Sequence, residues 1–390
     1  MEFYSGSFWS DNWLTLQIVK YLVFFVLFCL VTPFLLSQKI VPFVDFNVFL
    51  RSYENGYFRQ VEFQPITGLK SGDELAAYLD IRKNLVLYDG KTKKNITILN
   101  AEYEVSDHLM GYKVAGALNV WDDGQIHGLT SFASQYAVRD SIIVFLDGRT
   151  RSLNIYKGGN ITMLCYLFDN MQIPNAIGDN LLVYKDASQT YNVYWRNKNY
   201  EVGVYNQQFQ DFPGTDSNGN LNFSVGCDVM CFNDPYTQSF VVFENGEFID
   251  VDPMPANKYS AARGFVVYED INGNLWLFED GHKTQLSNFG ASNWRALDDV
   301  VVWMENGYMF AYQNGIKSEV ANYVPNDYML KNGQIVYRNI MGGVNAFSNG
   351  KNYNLTNQVD SEYAIFGEKV LVQLLNKSAI VLDNGQKYFN

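Results

Sequence analysis

The chain of 390 residues is 47% hydrophobic and 16% aromatic but only 18% charged, which excludes a disordered chain, since those are charge-rich and poor in aromatics. Its 27 Tyr and 28 Phe favour strands over helices and predict an all-β fold. The net charge of −12 argues against a nucleic-acid partner, because phosphate binding needs a cationic surface.

At the N-terminus, "YLVFFVLFCLVTPFLL" (21–36) follows Lys20 and precedes Ser37. A basic residue, a short apolar core and a small residue at the cleavage point predict a signal peptide over 1–37 and an exported mature chain over 38–390. An uncleaved anchor is the alternative, but the run is short for a bilayer and contains Pro33. Glu2, Trp9, Asp11 and Trp13 fit a leader start poorly, so residues 1–18 are read as preceding a true start near Ile18 or Val19 at a non-ATG codon. No stretch after residue 40 has the length and continuous apolarity of a membrane helix, so no direct membrane span is expected in the mature chain.

From residue 49 onward one pattern recurs. Asn-Gly or Asp-Gly between apolar runs marks a tight hairpin, because both residues tolerate positive φ. "FLRSYENGYFRQVEF" (49–63) is the barest copy, and fuller ones include "KNLVLYDGKTKKNIT" (83–97) and "NLWLFEDGHKTQLSN" (274–288). The turn glycines fall at 56, 90, 124, 159, 246, 281, 315, 350 and 385, with Asn197–Asn199 filling the gap near 198. Most spacings are 34 or 35 residues. Within "DDVVVWMENGYMFAYQNGIKSEVANY" (298–323), two Asn-Gly pairs predict three antiparallel strands in a row. A further strand ahead of them makes four per unit.

The second and third strands, such as Val300-Val301-Val302-Trp303 and Leu275-Trp276-Leu277-Phe278, are apolar on both faces and must be covered on both. A ring of stacked meanders achieves that. The expected fold is therefore an all-β β-propeller of about eight to ten short four-stranded blades built on 35-residue repeats; an open β-solenoid is the runner-up. Nine units read as complete and 49–63 as a partial tenth, while "NQQFQDFPGTDSNGNLNF" (206–223) is a loop inserted into one continuous ring over 38–390.

Candidate chemistry is sparse. "DINGN" (270–274) and "DSNGN" (216–220) superficially resemble calcium loops, but the sixth and twelfth positions from Asp216 are Leu221 and Cys227, so turn chemistry accounts for them. His108, His127 and His282 fall in different units as solvated turn residues. Asp107, Asp140, Asp179, Asp228 and Asp299 recur before the second strand of their units, which predicts a structural part in each copy, such as accepting hydrogen bonds from a turn. A glycosidase would use two or three carboxylates around a channel, yet there is no nucleotide loop, G-x-S-x-G or H-E-x-x-H. The expectation is a non-enzyme with no catalytic residue, no metal site and no cofactor.

Cys227 and Cys231, in an apparent strand, are too far apart to bridge; with Cys165 they read as buried small hydrophobes. Trp121, Trp195, Trp276 and Trp303 lie inside strands and read as core. On the polar loop 206–223, by contrast, Phe209, Phe212 and Phe223, with Asp211 among them, are candidate anchors for a protein partner. The alternative is that they close on a core of the loop's own.

The repeat "NLWLFEDGHKTQLS" resembles the blade repeat of TolB-like propellers over nearly all of 45–390, and the leader ending "FLLSQ" resembles those of exported Bacteroidetes-type proteins. Together they are similar to the family of the plug subunit of the type IX secretion translocon. That resemblance implies a periplasmic protein associated with the outer membrane, its partner a large outer-membrane β-barrel translocon whose periplasmic mouth it closes. The alternative is a carbohydrate-binding or glycan-degrading propeller of the cell envelope. Such repeats specify architecture rather than task.

Overall fold

The structure, a computed structural model, describes residues 39–288 and 290–390, so the expected leader and alternative start lie outside the described residues. The Asn-Gly pairs make the expected turns. Asn306 and Gly307 take φ of 52° and 83°, and Asn314 and Gly315 take 51° and 78°. The strands around them, Val300–Glu305, Tyr308–Gln313 and Ile316–Ala321, pair antiparallel, with Ser292–Leu297 in front.

That unit recurs in ten sheets, blades 1 to 10, spanning 41–60, 67–97, 102–130, 133–166, 181–204, 224–252, 258–287, 292–321, 328–356 and 362–389. Among the described residues eight sheets have four strands and two have three: the unit at 49–63, read as partial, and blade 5, which departs from the four expected of it. Among the described residues, blades 1 and 5 show no innermost strand. In blade 5 the segment ahead of Leu181–Lys185 makes only one bridge, Ile177 to Leu182. Pro174 stands where the strand would run and offers no N–H to a ladder.

Packing between sheets follows from the two-faced apolar strands. Val300, Val302 and Met304 turn toward blade 9, against Ile335 and Tyr337. The alternate residues Val301 and Trp303 turn the other way, against Val267, Leu275 and Leu277 of blade 7. Every core cluster is of this kind, filled by facing residues of neighbouring sheets. In eight blades the pairing of third and fourth strands slips by a residue near its inner end, a bulge that adds the twist a radial sheet needs.

The last interface closes the ring and overturns the open solenoid. Val41, Phe43 and Tyr53 of blade 1 pack with Leu371, Ala379 and Val381 of blade 10. Tyr53 Oη donates to Asp383 Oδ2 at 3.0 Å, and Lys369 Nζ donates to the Lys39 carbonyl at 3.1 Å. Consecutive antiparallel strands then put the first and third turns of each blade on one face of the disc. The second turn and the link to the next blade lie on the other face.

The cysteines need a correction. All three described are free, but only Cys231 is buried in a strand. Cys227 sits in the turn before that strand, and Cys165 is partly exposed on an outer one. Phe43→Ala is expected to cost about 3 kcal/mol in urea unfolding, as is Phe145→Ala in the middle of the array, because both lose a full set of core neighbours. A much smaller loss at Phe43 would mean that blade 1 has a bare outer side.

Candidate functional site

The ring axis gathers most of the polar chemistry. The turn between first and second strands begins at Gly72, Ser106, Arg139, Gly178, Gly226 and Ala262 in blades 2 to 7, each N–H donating to the carbonyl three residues on. Neighbouring turns touch. A Cβ on Gly178 would lie 2.0 Å from the Gly226 carbonyl oxygen, and one on Gly226 would lie 2.0 Å from that of Ala262, so only glycine fits there.

The second turn position is Asp73, Asp107, Asp140, Asp179, Cys227 and Arg263, followed by Asp298 and Asn332 in blades 8 and 9. Asp73 N–H donates to Asp107 Oδ1 (2.9 Å), Asp107 N–H to Asp140 Oδ1 (3.0 Å), and Asp140 N–H to the Asp179 carboxylate. The expected structural part for Asp107, Asp140 and Asp179 is thus a staircase of bonds from blade to blade. Asp228 and Asp299 are corrected, since each lies one residue past the equivalent position. Asp228 Oδ1 accepts from Trp195 Nε1 at 2.7 Å, and Asp299 Oδ1 is buried without a partner.

Cations answer this staircase from across the ring. Lys331 Nζ lies 2.7 Å from Asp73 Oδ1 and 2.9 Å from Asp107 Oδ1. Asn332 Nδ2 donates to Asp73 Oδ2 at 2.8 Å, while Arg263 Nη2 donates to Asp298 Oδ1 and Asn332 Oδ1, each at 3.1 Å. Blades 2 and 7 stand opposite one another in a ring of ten, so the network spans the axis and bridges this mouth.

Burial and neighbouring carboxylates raise Asp140 and Asp179 above the usual carboxylate range. Burial would lower Lys331, but Asp73 and Asp107 outweigh it and raise its pKa. The signs follow. The Lys331 contribution is complete below its ordinary pKa and is lost as pH rises through the raised one; Asp140 and Asp179 instead favour the fold more as pH falls through theirs. Lys331→Met is expected to cost about 2 kcal/mol at neutral pH in urea unfolding, the lysine being partly exposed. The deficit should shrink in acid as Asp140 and Asp179 take up protons.

The opposite mouth is built differently. There the inner strands Lys258–Ala261, Ser292–Leu297 and Tyr328–Lys331 line a cavity of about 510 Å³ with Lys258, Trp294, Arg295, Leu297, Tyr328 and Met329 in its wall. A second cavity, of about 490 Å³, opens where blade 5 lacks its inner strand, beside Phe168, Lys185, Tyr191, Asn220 and Phe223.

On this same face, the second turns of blades 1, 2, 5, 7, 9 and 10 are one five-residue loop. The first N–H donates to the fifth carbonyl and the fourth N–H to the first carbonyl. In five of them an Asp or Asn side chain, Asp45, Asp80, Asp186, Asp270 or Asn339, caps two further amides. For Asp80 and Asp270, burial acts to raise the pKa, but those donors outweigh it and hold the carboxyls below their usual range. The loop's second residue points out: Phe46 (79% exposed), Ile81, Ile271, Ile340 (79%) and Leu375, with the small Ala187 in blade 5. Blades 9, 10, 1 and 2 are consecutive, so four of these tips form an arc. The links add exposed Phe63, Ile98, Leu99 and Val359. The other face carries the polar Asp-Gly and Asn-Gly turns.

Val48, at the fourth position of its loop, takes φ of 64°, where blades 7 and 9 use Gly273 and Gly342. A β-branched residue there is strained. Val48→Gly should raise stability by about 1 kcal/mol in thermal or urea unfolding; no gain would show that the strain is absent.

The residues singled out on loop 206–223 are dispersed. Phe209 ends a single turn, Gln207–Phe209, and packs on Tyr236 at 4.8 Å and Tyr205 at 6.0 Å between ring centres. Phe223 packs between Tyr191 (5.1 Å) and Phe232 (5.2 Å). Both join the blade 5–6 core from its edge. Phe212 is half-buried, its carbonyl accepting from Thr215 Oγ1 at 2.8 Å, and Asp211 is exposed. His108 is exposed on an inner turn beside Glu74 Oε2, 2.6 Å away. Among the described residues no three His, Cys, Asp or Glu side chains are grouped to hold a metal ion. The axial cations and the apolar loop tips escaped the sequence reading; the recurring D-[FI]-x-x loop was the available signal for the tips.

Comparison with known proteins adds the family. The description "10-bladed beta propeller domain" matches residues 34–388. A search of curated proteins returned no match. Among solved structures, the chain is similar to the computationally designed Ika8 protein (14% identity, TM-score 0.31, covering 74% of this chain and 94% of that one). It is also similar to the CRINKLY WD40 ectodomain of the Arabidopsis thaliana receptor kinase ACR4 (8%, 0.30, 75% and 95%) and to Prp20p from Saccharomyces cerevisiae (11%, 0.29, 68% and 90%).

Proposed function

Because the chain belongs to the ten-bladed β-propeller domain family, a rigid ring carrying loops on two unlike faces, we propose that it is a non-catalytic, protein-binding subunit of the cell envelope. In this reading it is exported to the periplasm, seats on the periplasmic mouth of a large outer-membrane β-barrel, the type IX protein-secretion channel, and closes it between passages. The observation that carries the reading is the arc of exposed apolar loop tips on one face. Contiguous apolar surface of that kind marks a contact, and Val48 keeps a strained backbone there. The bridged axis supports a closing role, since an open ring would leak. Loop 206–223 follows the outer strand of blade 5 and so lies on the tip-bearing face, where Asp211 and Phe212 add a second contact.

The second reading, a glycan-binding propeller, rests on the blade 5 cavity, where Tyr191 and Phe223 stand beside the Asn220 and Asn222 amides.

The test replaces Phe46, Ile81, Ile340 and Leu375 together by Ser. These side chains are exposed, so the fold should survive, while co-purification of an outer-membrane β-barrel from crosslinked envelopes should fall about a hundredfold or more. Barrel recovery unchanged by the four substitutions would defeat the assigned face. Glycan-array binding with no barrel recovered from the wild type would defeat the function.

A further inference from the structure

The cavity at the opposite mouth holds two exposed cations that form no salt bridge among the described residues. Lys258 Nζ donates to the Trp294 carbonyl at 3.0 Å and lies 4.2 Å from the Trp294 ring centre. On the next inner strand the Arg295 guanidinium stacks 4.8 Å from the Tyr328 ring centre. Among the described residues neither has an acid within ion-pair distance. The nearest, Glu269, is engaged by Trp294 Nε1 at 3.4 Å. In a chain of net charge −12, two adjacent cations facing only Glu269, across the strand pair from Lys258, are a local excess of positive charge. Burial, with Arg295 adding to it, holds the Lys258 pKa below its usual value against the pull of Glu269.

The cavity is elongated. Its wall runs along successive residues of three inner strands, 258–260, 294–297 and 328–330, and four strand residues span roughly 13 Å. The cations and aromatic faces lie toward the mouth. Exposed Leu297 lies two residues nearer the bridged end than Arg295, beside Asp298, which would repel a second acid, and exposed Met329 lies level with Arg295.

We infer that this groove receives an extended acidic segment of a protein partner. One carboxylate sits between Lys258 and Arg295, and an apolar side chain reaches Leu297 and Met329. Both cations are exposed, so the preference for that carboxylate comes from their pairing and from charge complementarity, and the aromatic faces fix the cations in place. This rests on the protein-binding reading and names the chemistry the partner presents at the axis.

The test uses the full chain and a fluorescein-labelled hexapeptide alternating Glu and Leu, with a Gln–Leu hexapeptide as reference. Fluorescence anisotropy should give saturable, salt-sensitive binding of the Glu peptide. Affinity should drop at least tenfold for the Gln peptide and for the Lys258→Met/Arg295→Met double variant, and stay unchanged in Lys198→Met on an outer strand. Both variants should melt like the wild type. No binding, equal affinity for the two peptides, or no loss in the double variant would overturn the inference; displacement of the peptide by equimolar citrate would overturn its assignment to a peptide. If the β-barrel still co-purifies with the double variant at wild-type yield, the axial inference fails while the envelope reading stands.

Discussion

Burial of both faces of every central strand is the constraint on which the rest of the molecule depends. A strand such as Val300–Glu305 sends alternate side chains to two different neighbours, so no blade can complete its core alone. Stability is shared by nearest-neighbour interfaces, as in other repeat proteins. An unclosed array would leave two terminal sheets with bare apolar sides. Closure through Val41, Phe43 and Tyr53 against blade 10 removes both at once.

Closing ten blades also brings the inner turns together, and their chemistry changes around the ring. Four successive aspartates, Asp73, Asp107, Asp140 and Asp179, pass hydrogen bonds from blade to blade on one side. Arg263 and Lys331 approach from the other. One mouth is therefore braced by charge, and at the opposite mouth Lys258 and Arg295 form no salt bridge among the described residues. The two faces diverge in the same sense. Tight Asn-Gly and Asp-Gly turns make one polar, and five-residue loops hold apolar tips out from the other.

Much of the ring was legible in the sequence because its determinants are local. Each Asn-Gly or Asp-Gly turn announces a hairpin, and doubly apolar strands demand neighbours on both sides. The missing inner strand of blade 5 was hidden, since the turn at Arg196 and Asn197 keeps the period while Pro174 spoils a strand that carries no such marker. Recurring aspartates before the second strand pointed to the axis, but the Asp298-Asp299 pair offered two choices and the turn geometry takes the first. Contacts such as Lys331 with Asp73 and Asp107 join residues 258 and 224 positions apart. Only closure makes them neighbours, so no local pattern could reveal them. Phe209 and Phe223 looked free on a polar loop; the edge of blade 5 gave them aromatic neighbours that periodicity does not show.

The decisive measurement is a double-mutant cycle across the seam. Tyr53→Phe and Asp383→Ala, made singly and together, remove the two partners of a hydrogen bond joining the first sheet to the last. A closed ring predicts a coupling energy of at least about 1 kcal/mol in urea unfolding, as expected for a bond to a charged acceptor. Strictly additive losses would mean that these residues, 330 positions apart, never meet and that the circle is open.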